Sequence, residues 1–258
     1  MNSNTGQRAW IACVGRCVFA AAMIAIGING LFRRDFNVVW QPVPKWVPVR
    51  ELWVYLCALV PLVSGILLVW RRTVAFASQL LLGYCLLWLL LVRAPDLFLR
   101  PSIGTAWAIC KIAVIAAAAW SVFGGSGVRI ARVLYGLSMI VFGVAHFMYL
   151  NATAPLVPAW LPWHVAWAYV TGATFIAAGI AMIVGVLAGL AAALSALQMG
   201  LFTLLIWLPV VITGNAKPSD WGEFIVSCVL TACGWAVADA YRKGAHSAGE
   251  TIELTPSS

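Results

Sequence analysis

Two histidines bracket one short polar stretch of an otherwise apolar chain, His146 before the segment FMYLNATAPLVPAWLPW and His164 after it. If one helix ends at His146 and the next begins at His164, both imidazoles reach the ends of adjacent antiparallel helices at a similar membrane depth. Imidazole titrates near neutrality and can donate to a quinone carbonyl, relay a proton, or ligate haem or another metal. The structural alternative is that His146 caps a helix carbonyl and His164 sits hydrated among tryptophans. No acidic or thiolate residue is spaced to complete a metal site, so no metal is expected. His146 and His164 are the catalytic candidates. Trp160, Tyr169, Arg50 and Tyr55 join them as ligand-binding candidates.

Other polar residues are fewer and each has two readings. Lys111 lies inside an apolar run, either as a buried amine or snorkelling to the nearer interface. Arg50 and Glu51 can pair at a helix entry, where Glu51 suits the helix N-terminus. Tyr55 and Tyr169 either line a pocket or anchor an aromatic belt, and Gln79 and Gln198 can bond between helices. Cys13 and Cys17 share a helix face, but the seven cysteines form no CxxC and lie almost wholly in apolar segments, as small core residues do. There is no nucleotide loop, nucleophile triad or paired-carboxylate constellation. An accessory or non-catalytic subunit is expected rather than a self-contained enzyme.

The elements that must position these groups are membrane spans. Of 258 residues, 63% are hydrophobic and only 9% charged, with a mean hydropathy of +0.96. Such a chain partitions into lipid rather than water. The formal charge of +8 is scattered at the ends of apolar runs, where Lys and Arg face phosphates and fix orientation, so the bilayer and not nucleic acid is the expected partner.

Apolar runs predict helices over about residues 9–31, 51–70, 73–92, 103–123, 130–150, 164–184, 187–211 and 221–240. The first run lacks a small-residue cleavage site and has a later counterpart, which argues against a leader. Closed helices are the expected fold, because lipid tolerates no open backbone. The proline-rich loop at 33–50 is interfacial, and the glycine-rich linker at 124–129 divides the chain.

The two halves repeat. A shift of about 114 positions places Trp46 and Pro48 on Trp160 and Pro162, Trp53 and Tyr55 on Trp167 and Tyr169, and Gly65 and Pro95 on Gly179 and Pro209. Pro44 likewise falls on Pro158. With a two-residue loop difference, Arg16, Met23 and Gly27 fall on Arg132, Met139 and Gly143. The expected architecture is an all-α integral membrane protein of about eight transmembrane helices, arranged as two parallel-repeat four-helix bundles: residues 1–123, a linker at 124–129, residues 130–241, and a disordered polar tail at 242–258.

The segment from Gly143 to Ile183, GVAHFMYLNATAPLVPAWLPWHVAWAYVTGATFIAAGIAMI, resembles the signature region of DoxX-like membrane proteins. The resemblance covers about 130–240, with the first half as a diverged second copy. Its matching positions are His146, Phe147, Pro158, Trp160, Leu161, Pro162, His164, Tyr169, Gly172 and Gly179. The first half departs from it, with Gly30 in the place of His146 and Arg50 in that of His164, so a histidine site would exist once. The resemblance implies a membrane anchor or quinone-facing subunit of a redox or oxidative-stress assembly, with quinone as the cofactor and a redox protein as partner. The alternatives are a small-molecule transporter built on the duplicated bundle and a structural assembly factor without catalysis. Arg129, Arg132, Arg242 and Lys243, against a loop at 151–163 without Lys or Arg, place both termini in the cytoplasm of a cell (inner) membrane protein.

Overall fold

The computed structural model describes residues 3–36, 41, 43, 45–124 and 127–253, with side chains described over 14–36, 41, 43, 45–124 and 127–241. Pro42, Pro44, Gly125 and Ser126 lie outside the described residues, as do the side chains of Cys13, Arg242 and Lys243. The described residues form helices and no strand. Eight of the helices are long and apolar enough to cross a bilayer, and the chain is an all-α integral membrane protein.

In chain order these are α1 (Ser3–Arg33), α2 (Arg50–Val69), α3 (Val74–Leu99), α4 (Ile103–Phe123), α5 (Gly127–Met148), α6 (His164–Val184), α7 (Ala188–Ile212) and α8 (Pro218–Glu253). The polar segment after Arg242, expected as a disordered tail, instead continues α8 to Glu253. It holds no proline before Pro256 and includes Ala and Glu, which favour the helix.

Each helix packs on the next around a ring, and α8 closes it against α1. Across the middle, α4 packs on α8. These two are the most enclosed spans, with 61% and 67% of the span window buried against at most 44% elsewhere. The reason is visible in α4, where residues 110–119 are buried on every side and include five alanines small enough for close approach. Among the described residues α1 does not pack along α4. The closing contacts α4–α5 and α8–α1 cross between the halves, so the helices before and after the 124–129 segment form one ring rather than two separate bundles.

The repeat is legible in the backbone. Val49 and Trp163 both take left-handed conformations immediately before their helices, with φ of 52° and 58°. For a β-branched or bulky residue this conformation costs about 1–3 kcal/mol, and only the surrounding packing can hold it. Five-residue π-turns at Leu89–Arg93 and Thr203–Trp207 precede Pro95 and Pro209. Proline removes an N–H and crowds the preceding turn, and a widened turn accommodates it without breaking the span. Helices α3 and α7, expected to end near 92 and 211, therefore run to Leu99 and Ile212.

Glycines set the α1–α2 and α5–α6 crossings. A Cβ at Gly136 would lie 2.8 Å from the carbonyl oxygen of Gly179, and one at Gly179 would lie 2.5 Å from that of Gly136. Gly65 meets the Ala20 carbonyl in the same way at 2.8 Å. Backbones this close leave room for nothing larger than hydrogen.

Candidate functional site

The π-turn of α7, the end of α5, the start of α8 and the first turns of α4 surround a cavity of about 210 Å³ on the face that carries the 157–163 loop. Its polar lining comes from His146, Lys111, Glu223, Thr153, Thr171 and Ser227, and its flat walls from Trp107, Phe142, Phe202 and Trp207.

His146 stands half-buried in the last turn of α5, where Thr153 Oγ1 donates to its carbonyl oxygen at 3.3 Å and to that of Tyr149 at 3.2 Å, closing the helix end. The ring sits among aromatic neighbours: Phe175 at 5.5 Å, Phe202 at 6.1 Å and Trp107 at 6.4 Å between centroids. Its Nδ1 lies 2.7 Å from the Phe142 carbonyl oxygen. A carbonyl only accepts, so Nδ1 carries the proton. In the neutral ring Nε2 is then an acceptor, free to meet a group in the cavity.

Lys111 is buried. Its Nζ donates to both carboxylate oxygens of Glu223 at 3.1 and 3.3 Å and lies 5.2 Å from the Trp107 ring centre. The ion pair joins α4 to α8 across 112 residues of sequence. Neither reading of Lys111 from sequence includes this partner: the amine does not snorkel but is neutralised in place. An unpaired charge at this depth would carry a desolvation cost of several kcal/mol.

The other candidates do not gather here. His164 is half-buried at the first residue of α6, in an open surface depression with Pro162 and Trp163, and does not line the cavity that holds His146. Trp160 is exposed. Tyr169 packs on Phe147 at 5.6 Å with its other side exposed, and Tyr55 is exposed as well. Arg50 pairs with Asp35 at 2.6 Å, not with Glu51, and its guanidinium lies 5.1 Å from the Phe36 ring centre. Asp35 sits in the loop after α1, which folds back over the start of α2, whereas Glu51 is the adjacent helical residue and points elsewhere on the helix. Gln198 does bond between helices, donating to the Thr171 carbonyl at 3.1 Å and accepting from Thr174 at 2.8 Å, while Gln79 is exposed.

Among the described residues the corresponding region of the first half is filled, with a void of only about 20 Å³ among Phe36, Gln41 and Cys57. Gln41 Nε2 donates to the Tyr84 hydroxyl at 2.6 Å, and that hydroxyl donates to the Cys57 carbonyl at 3.0 Å. Trp88 closes against Phe36 at 6.0 Å. The hydrogen bond from Tyr84 to Cys57 occupies the place of that from Gln198 to Thr171, about 114 residues on, so the frame is shared while the cavity is not.

A second space adjoins the first. Between α6 and α7 runs a groove of about 620 Å³ whose walls include Leu194 and Leu197, both more than half exposed on the span surface. Val157, Thr171, Phe202 and Ile206 line both the groove and the cavity. Among the described residues no three of His, Cys, Asp and Glu gather as metal ligands would.

These features define a multi-pass helical membrane protein with a polar cavity lined by α4 of the first half and by α5 to α8 of the second. No protein-family model matches the chain, and searches of curated proteins and of solved structures find no match.

Proposed function

We propose that this protein is the quinone-facing membrane subunit of a redox assembly in the cell membrane, holding the carrier while a partner protein exchanges its electrons. The observation that supports it is His146 Nε2, an acceptor left open by the Nδ1 bond to Phe142, in one aromatic-walled cavity with the Lys111–Glu223 pair. A carrier that alternates between carbonyl and hydroxyl oxygens needs both an acceptor and a donor, and these groups supply them. The DoxX-like resemblance of the second half agrees with this role: that half supplies the histidine and most of the cavity wall, and α4 of the first half adds Trp107 and Lys111.

The test is quinone binding by the purified protein in detergent, followed by quenching of its tryptophan emission. His146→Ala should weaken binding of a short-chain benzoquinone by about tenfold, the equivalent of one good hydrogen bond, while His164→Ala leaves it unchanged. Equal binding by wild type and His146→Ala removes the reading.

A further inference from the structure

We infer that the head of the ligand is a single six-membered ring held in the His146 cavity, and that its apolar tail lies in the α6–α7 groove, entered sideways from the bilayer. The inference rests on the carrier-binding reading above and adds the ligand's shape and its route.

Size limits the head. A cavity of about 150 Å³ holds one benzene; this one, at about 210 Å³, takes a ring with small substituents. Its walls suit a flat group, because Phe202 lies beside His146 with planes 28° apart and the Trp107 ring stands 6.4 Å from it. Lys111 can donate to one ring oxygen and His146 Nε2 can accept from another.

Adjacency suggests where the tail goes. The groove and the cavity share Phe202, Ile206, Thr171 and Val157 as lining, so only these side chains stand between the two spaces, and a chain attached to the ring reaches the groove between α6 and α7 by displacing them. Within the groove the polar side chains already bond to one another or to backbone: Thr174 to Gln198, Gln198 to the Thr171 carbonyl, and Thr171 to the Trp167 carbonyl at 2.6 Å. A surface whose polar groups are satisfied internally accepts an apolar chain without a desolvation cost. Leu194 and Leu197 in the groove wall are exposed on the span surface, so the groove opens on the side where the bilayer would lie. A hydrophobic carrier therefore has no need to leave the bilayer to bind.

The test uses three probes on wild type, Ala177→Trp and Ile180→Trp: a decyl-substituted benzoquinone, the tail-less tetramethyl-benzoquinone and a decyl-substituted naphthoquinone. Ala177 lines the groove; Ile180 is exposed on the same helix and does not. Ala177→Trp should weaken the decyl-benzoquinone by about tenfold and leave the tail-less ring unchanged, Ile180→Trp should change neither, and the fused-ring probe should bind wild type more weakly than its single-ring counterpart. Unaltered decyl-benzoquinone binding in a monodisperse Ala177→Trp protein overturns the tail route, and so does equal weakening of both single-ring probes. A naphthoquinone that binds as tightly as the benzoquinone overturns the single-ring head. If wild type binds none of the probes, the carrier reading itself fails, and this inference with it.

Discussion

Lys111 Nζ stands 3.1 and 3.3 Å from the two carboxylate oxygens of Glu223, tying together the two helices that occupy the middle of the ring. Lys111 is buried and the Glu223 side chain is 34% exposed, so the pair lies between the fully buried and surface regimes. Removing one member leaves a charge without its partner, at a cost of about 2 kcal/mol. Lys111→Met or Glu223→Gln should lower the melting temperature in detergent by several degrees. The double variant Lys111→Met/Glu223→Met should recover most of that loss, because apolar side chains replace an ion pair with little net cost. It should still bind the benzoquinone less tightly, having lost the donor. A double variant as unstable as the worse single one would show that the pair is not acting as a unit.

The glycine crossings give a prediction about stability alone. Gly179→Ala puts a methyl 2.5 Å from the Gly136 carbonyl oxygen, and α5 and α6 must separate to admit it. The expected cost is about 1–3 kcal/mol, seen as a lower melting temperature. Gly83 lies inside α3 with nothing within 4 Å of the added carbon. Gly83→Ala should therefore not destabilise, since alanine favours the helix by about 1 kcal/mol. Equal melting temperatures for the two variants would contradict the close crossing.

Much of this frame was legible in the sequence because its signals are local or repeated. Eight apolar runs of bilayer length needed no partner to be recognised, and Pro95 with Pro209 marked equivalent places in both halves. Gly30 stands where His146 does, so the sequence places that histidine in one half only. What it did not convey depends on packing. Glu223 belongs to Lys111 only because α4 and α8 meet across the ring, and nothing in 112 residues of separation announces that contact. A usable signal was present: few acidic residues fall in the spans, and a lysine embedded in one of them requires an opposite charge. Adjacency offers Glu51 as a partner for Arg50, because adjacency is what a sequence displays, whereas Asp35 approaches through the fold of a loop. His164 shares the loop with His146 but not the cavity, because the left-handed turn at Trp163 starts α6 with that side chain in a surface depression.

Charge predicts an orientation, with the 151–163 loop outside. The loop at 151–163 has no Lys or Arg, and Arg129 and Arg132 stand near the opposite end of α5. In a cysteine-free background, Pro155→Cys should react with a membrane-impermeant maleimide added to intact cells. Labelling only after the cells are broken would place the cavity face in the cytoplasm instead.

The π-turn of α7 should matter for the site more than for the fold. Thr203–Trp207 exists because Pro209 cannot supply an N–H to the preceding turn, and the widened backbone sets where Phe202, Ile206 and Trp207 face the cavity. Pro209→Ala restores the missing donor and allows an ordinary α-turn, which rotates those three side chains relative to His146. Benzoquinone binding should weaken by about tenfold while the melting temperature stays the same or rises. Pro95→Ala provides the internal control, because the equivalent π-turn at Leu89–Arg93 adjoins a region that is filled rather than open. The turn follows Trp88, which packs on Phe36 beside that small void, and none of its residues lines the His146 cavity, so that variant should bind as wild type does. If the two proline variants behave alike, the π-turn is only the way this chain carries a proline through the membrane, and the shape of the cavity has another origin.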